Sequence, residues 1–137
     1  IQGLSNTPEL RQYFLSGKYR DEINLTNPIG TKGEIAESFS ALIRDLWAGD
    51  IQYIVPKEFK RKLGKHAPQF SGFEQHDSQE VLSYMLDAIH EDLNRVKDKP
   101  FVEIEDCSSH ENEYEEAKKF WNRHKTRNDS VVVDLFQ

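Results

Sequence analysis

The sequence predicts a mainly α-helical chain with short strands near its C-terminus, and three observations carry that reading. Apolar residues recur at helical spacing over residues 33–48. A second amphipathic run, residues 81–96, starts immediately behind a capping pattern at Asp77 and Glu80. Alternating or β-rich patterning is confined to residues 101–105 and 130–136.

Taken in order, residues 1–5 read as the end of a helix, so the chain reads as a fragment, open at both ends. Thr7-Pro8-Glu9 is a strong helix start: a threonine cap, proline at the first helical position and an acid in the first turn. The helix turns Leu10, Phe14 and Leu15 inward and stops at Ser16-Gly17. Residues 18–31 read as irregular, with Asn27-Pro28 and Gly30 as turn signals. On the helix of residues 33–48, Ile35, Phe39, Leu42, Ile43, Leu46 and Trp47 form the stripe, which places Trp47 in the core. Residues 51–55 read as a short strand or an extended arm. Pro56 then opens a basic helix over residues 57–63 with Phe59 and Leu63 as its buried pair. Lys57, Lys60, Arg61, Lys62 and Lys65 read as a solvated face, since no interleaved aromatic platform accompanies them.

Along residues 81–96, Val81, Leu82, Met85, Leu86, Ile89 and Leu93 make the apolar face. Tyr84, Asp87, His90, Glu91 and Asp92 fall mostly on the outer side. His90-Glu91-Asp92 contains metal-ligand residue types, but the zinc-protease pattern needs a second histidine one turn away, and it is absent. Cys107 and His110 sit in a polar, acidic loop; acids disfavour the thiolate, so Cys107 is not expected to be a nucleophile. Residues 113–127 read as a charged helix packing through Tyr114, Ala117, Phe120 and Trp121, and residues 130–136 as a strand.

Composition sets the class. A hydrophobic share of 36% and a charged share of 31% describe a polar globular chain long enough to bury a core. The formal charge of −6, with 24 acidic against 18 basic residues, argues against nucleic acid and suits a basic protein or peptide partner. A single cysteine excludes an internal disulfide and points to a reducing, intracellular setting, cytoplasmic or nuclear. No apolar run approaches a membrane span.

The stretch Gln69-Phe70-Ser71-Gly72-Phe73-Glu74-Gln75-His76-Asp77-Ser78-Gln79-Glu80 concentrates the chemistry. It puts two phenylalanines in a glycine-containing loop, two glutamines about an acid, and carboxylates at a helix start. Asp77 in the cap position accepts from the free N–H groups of the first turn, and Glu80 is placed to reach back to the cap.

Gln75-His76-Asp77-Ser78-Gln79-Glu80 resembles the second signature of the ubiquitin-specific proteases, the papain-like cysteine deubiquitinases: Gln-(Gln/His)-Asp-(Ala/Ser/Cys)-(Gln/His)-Glu. Phe70-Ser71-Gly72-Phe73, His90-Glu91-Asp92-Leu93-Asn94, Asn27-Pro28 through Gly33-Glu34-Ile35-Ala36, and Arg127-Asn128-Asp129-Ser130-Val131-Val132-Val133-Asp134 are similar to the same family in register. The similarity is greatest to the subgroup whose longer members carry ubiquitin-like and DUSP domains.

The resemblance implies that residues 1–129 are the thumb-like helical part of a papain-like α+β cysteine protease. Residues 130–137 would then be the first strand leading toward the fingers region. It implies no catalytic residue within this chain. Ile1-Gln2-Gly3-Leu4 matches only the tail of the nucleophile motif, which puts the cysteine upstream of Ile1 and the histidine with its Asp/Asn partner downstream of Gln137. The family's zinc-binding cysteine pairs belong to the fingers region, so neither metal nor cofactor is expected here. The implied partners are ubiquitin and ubiquitinated proteins, with no nucleic acid and no membrane. The implied substrate-binding residues, for ubiquitin's extended tail Leu-Arg-Leu-Arg-Gly-Gly, are Gln75, Asp77, Glu80, Phe70, Phe73 and Glu74. Of another class is an inactive scaffold, a helical protein-interaction module without catalysis.

Overall fold

Residues 1–49, 53–101 and 113–137 are described by the computed structural model, and among them every regular element is helical. The elements are α1 (Gln2–Ser5), α2 (Pro8–Ser16), α3 (Tyr19–Glu22), α4 (Glu34–Trp47), α5 (Lys57–His66), a 3₁₀ turn (Pro68–Phe70), α6 (Ser78–Asp92), α7 (Glu113–Lys125) and α8 (Val131–Phe136). The expected mainly α architecture is therefore the one found. Most of the expected strand at residues 101–105, part of that at 51–55, and the Cys107–His110 loop lie outside the described residues.

α4 is the central post, with α2, α5 and α6 packed around it. Its stripe buries Ile35, Phe39, Leu42 and Ile43 completely or nearly so. Phe14 of α2 meets Phe39 edge-on, ring centroids 5.1 Å apart, and Phe59 of α5 tilts against the same ring at 6.0 Å. Each such side chain contributes about 1.5–3 kcal/mol by leaving water, so this aromatic row dominates the local energetics. Met85, Ala88 and Ile89 of α6, with Leu93 beyond it, close the other side.

Several expectations are corrected. The strand expected at residues 130–136 is helix α8: Ser130 is extended at φ −160° and ψ 169°, and its hydroxyl accepts from the backbone N–H groups of Val132 and Val133. A capped turn satisfies those donors locally, whereas a strand needs a partner, and no strand is present among the described residues. Val131, Val132 and Val133 are all buried, so burial outweighs their β preference. Residues 18–31 are not wholly irregular, since they include α3. α6 ends at Asp92 rather than running on to Val96.

Trp47 is not core; it is 44% exposed. Its indole N–H donates to the Ser5 carbonyl at 3.1 Å, and the Arg11 guanidinium lies 4.0 Å from the ring centroid. It is a strap holding the end of α4 to α1. Leu15, Leu46 and Leu82 are also exposed, and α7 buries none of its residues, Tyr114 and Phe120 included.

Candidate functional site

The stretch singled out in the sequence forms the passage from α5 to α6. Pro68–Phe70 turns the chain tightly, with Phe70 N–H donating to Ala67 O at 2.9 Å and Ser71 N–H to Pro68 O at 3.1 Å. The turn drives Phe70 inward to 4% exposure, where the rings of His76 and Tyr84 meet its edges, centroids 5.2 and 5.8 Å away. Phe70 is thus the floor of the site. Phe73, three residues on, is 100% exposed and stands beneath the Lys60 ammonium, 4.3 Å from the ring centroid.

Asp77 caps α6 as its sequence position requires. It is extended at φ −66° and ψ 127°, and its Oδ1 accepts from the Gln79 N–H at 2.8 Å. The reciprocal bond expected from Glu80 is not made; among the described residues its exposed carboxylate has no partner. Gln75 and Glu74 are likewise exposed. Of the six residues singled out, five therefore face solvent at the start of α6 and one is buried under them. The arrangement offers a peptide three carboxylates and an amide over an aromatic floor, which suits cationic side chains and backbone N–H groups. His76 is half-buried between floor and cap, and its Nε2 has no hydrogen-bond partner.

α5 holds the passage in place. At Gly64 a Cβ would lie 2.8 Å from the Ser71 Cα, so helix and loop touch backbone to backbone. The C-terminal end of α5 is pinned to α4 through Glu34, whose carboxylate accepts from Lys65 at 2.8 Å and pairs with His66 Nε2 at 2.8 Å and Lys62 at 3.4 Å. Bonding from Lys65, then from His66, holds the Glu34 carboxyl down from its ordinary 4.5 to about 2. A carboxylate whose pKa is depressed on folding stabilises the fold above its unfolded pKa and loses that contribution as pH falls through its folded value. Acidification from 4.5 to about 2 should therefore lower the urea midpoint more steeply in the native chain than in Glu34→Gln. The gap between the two should close near the bottom of that window. Because the groups are partly exposed, the difference at neutral pH should be about 1 kcal/mol or less.

Behind the far end of α6 lies a buried polar hub that the outer-face assignment of Asp92 missed. Asp92 is 0% exposed. Its Oδ1 accepts from the Thr31 N–H, and its Oδ2 accepts from the Thr31 hydroxyl at 2.6 Å and the Ala36 N–H at 3.2 Å. Thr31 Oγ1 in turn accepts from Ile35 N–H at 3.0 Å, so the first turn of α4 is capped from α6. Backbone geometry sharpens this junction: Lys32 and Gly33 have φ of 58° and 84°, and a Cβ on Gly33 would stand 2.8 Å from Ile23 Cγ2. Asn24 donates to Asn94 O at 2.9 Å and Asn27 to Glu91 O at 2.9 Å, tying the loop before α4 to the end of α6. Burial raises the Glu91 pKa, but bonding from Lys99 and Asn27 outweighs it and the net shift is downward. His90 Nδ1 pairs with Ser130 Oγ at 2.8 Å, and Asn94 Oδ1 accepts from Asp129 N–H at 3.2 Å, which docks α8. A signal was present in the sequence: Asp92 follows Met85, Ala88 and Ile89 at helical spacing, on the buried face.

Among the described residues no group of three or more His, Cys, Asp or Glu side chains is arranged to hold a metal ion, and no helix is long and apolar enough to cross a membrane.

Comparison with known proteins places the chain among relatives that match it over nearly its whole length. The chain is 48% identical over 136 residues to "Ubiquitin carboxyl-terminal hydrolase 15" of Xenopus tropicalis, 99% of this chain and 14% of that protein. It is 50% identical over 136 residues to "Ubiquitin carboxyl-terminal hydrolase 4" of Bos taurus, with 99% and 14% covered. It is 53% identical over 137 residues to "Ubiquitin carboxyl-terminal hydrolase 8" of Arabidopsis thaliana, with 100% and 16% covered. The chain thus spans about one seventh of the length of these relatives. With the family model described as "Ubiquitin carboxyl-terminal hydrolase" matching all of residues 1–137, the chain belongs to the ubiquitin carboxyl-terminal hydrolase family.

Proposed function

We propose that this chain is part of a deubiquitinating cysteine protease that hydrolyses the bond after ubiquitin's C-terminal glycine, and that the passage from α5 to α6 is the wall receiving ubiquitin's tail. In this reading the thiolate attack and its histidine base come from outside residues 1–137. The chain by itself does not cleave ubiquitin substrates. Gln75 and Asp77 bond the extended backbone of the tail, Glu80 and Glu74 take its arginines, Phe70 is the floor and Phe73 closes the rim on the α5 side.

The observation that carries this is the division of labour at Asp77. One carboxylate oxygen caps α6, while the second oxygen of the exposed side chain has no partner among the described residues. A residue there only as a cap has no need of the polar company of Gln75, Glu74 and Glu80, all held at the surface.

The test is Asp77→Ala in the intact enzyme. Loss of the cap should cost about 1 kcal/mol, a shift of a few degrees in melting temperature. Loss of a charge-assisted contact to the tail should lower kcat/KM for a fluorogenic ubiquitin substrate by about tenfold or more. Ubiquitin with a tail arginine changed to alanine should show a smaller further loss in Glu80→Ala than in the native enzyme. Native kinetics in Asp77→Ala would remove the tail-binding role.

A further inference from the structure

The basic cluster on α5, read from sequence as a solvated face without an aromatic beside it, does have one. Phe73 folds back from the loop to stand under Lys60, and between α5 and that loop lies an open groove of about 580 Å³ bordered by Lys57, Lys60, Lys65, Ser71 and Phe73. Among the described residues no Asp or Glu lines it. Two of its cations are neutralised: Lys65 by Glu34 at 2.8 Å and Arg61 by Glu58 at 2.6 Å. Lys57 and Lys60 have no carboxylate partner among the described residues, and both are exposed. On a chain of net charge −6, this is a local reversal of sign around a bare aromatic ring.

We propose that this groove docks an acidic peptide segment of a protein partner, with an apolar or aromatic side chain against Phe73 and flanking carboxylates on Lys57 and Lys60. A bare ring in water costs apolar exposure that a ligand side chain removes, and two unpaired ammonium groups beside it select for negative charge. The rigid backbone contact of Gly64 with Ser71 fixes the width of the groove, so little ordering is needed on binding. The arginine-bearing tail assigned to the Asp77 side is repelled here, so the two surfaces share Phe73 at their common rim and differ in the charge they accept. A single-stranded nucleic acid would need a run of stacking rings along a cationic track, and among the described residues the groove has one ring. The site does not depend on the tail-binding reading above.

The experiment is fluorescence anisotropy of the intact protein with a labelled Asp-Glu-Asp-Phe-Glu-Asp-Glu peptide, at low and high salt. Saturable binding that weakens with salt is expected, lowered about tenfold or more by Lys57→Glu with Lys60→Glu, and several-fold by Phe73→Ala. Lys60→Arg should retain it. Both lysines are exposed, so unchanged cooperative melting of the double variant is expected and checks that the fold is kept. The proposal fails if the acidic peptide does not bind at low salt, or if the charge-reversed protein binds it equally. It also fails if a Lys-Arg-Lys-Phe-Lys-Arg-Lys peptide binds as well, or if a deoxythymidine oligonucleotide binds more tightly than the acidic peptide.

Discussion

Replacing Asp92 with alanine should destabilise the chain by about 3–5 kcal/mol, enough to leave much of it unfolded near physiological temperature. The carboxylate is fully buried and accepts three hydrogen bonds, two from backbone N–H groups of the loop and first turn of α4 and one from the Thr31 hydroxyl. Alanine strands all three donors away from water, and each unsatisfied buried donor costs about 1–3 kcal/mol. It also opens a space where Thr31 packs. Asn at this position keeps the size but turns an N–H₂ toward donors, so Asp92→Asn should recover only part of the loss. Urea denaturation of the three proteins checks this. A midpoint for Asp92→Ala close to the native one would mean that water reaches the hub and takes over the bonds.

Gly64→Ala is the second large effect, and two physical rules oppose each other there. Gly64 lies inside α5, so helix propensity alone predicts a gain of about 1 kcal/mol on substitution by alanine. The new methyl, however, would meet the Ser71 Cα at 2.8 Å and its Cβ at 3.1 Å. Ser71 is anchored by its own turn, its N–H and hydroxyl both bonding Pro68 O, so the loop moves as a piece or α5 bends away from it. Overpacking of this kind costs about 1–3 kcal/mol, and the contact should win. Melting temperature should fall, and acidic-peptide affinity in the α5 groove should fall with it, because Phe73 belongs to the displaced loop. A stabilised Gly64→Ala with unchanged peptide affinity would show that the loop yields freely.

The sequence displays most clearly what repeats or is punctuated. The stripe of α4, the Pro8 start of α2, the buried Phe59–Leu63 pair and the Asp77 cap all follow from spacing and turn chemistry, and each is found. What it conceals depends on distant partners. Asp92 looks like surface because it is charged, yet Thr31 and Ala36 make its burial favourable. Val131 to Val133 look like strand, yet Ser130 and the face of α6 make helix the cheaper way to bury three branched side chains. Trp47 sits on the apolar stripe, but at the end of α4 the neighbouring body has run out, and the ring folds over Ser5 instead. At the candidate site, the loop composition shows polarity, but not that Phe70 goes down while Phe73 goes up; that split is set by the 3₁₀ turn.

The hub around Asp92 has a consequence for time as well as for energy. The bonds that tie residues 24–36 to the end of α6 join positions 56 to 70 residues apart, Ala36 to Asp92 and Asn24 to Asn94 at the extremes. Closing a loop of that length costs about 3–4 kcal/mol of chain entropy before any of those bonds is rewarded. α4 and α6, whose own hydrogen bonds are local, therefore have a head start in forming, and the hub is expected to close late. Weakening it should steepen the loss of native molecules while scarcely slowing their formation. The lifetime of the folded chain should therefore be set from the end of α6 opposite to its Asp77 cap.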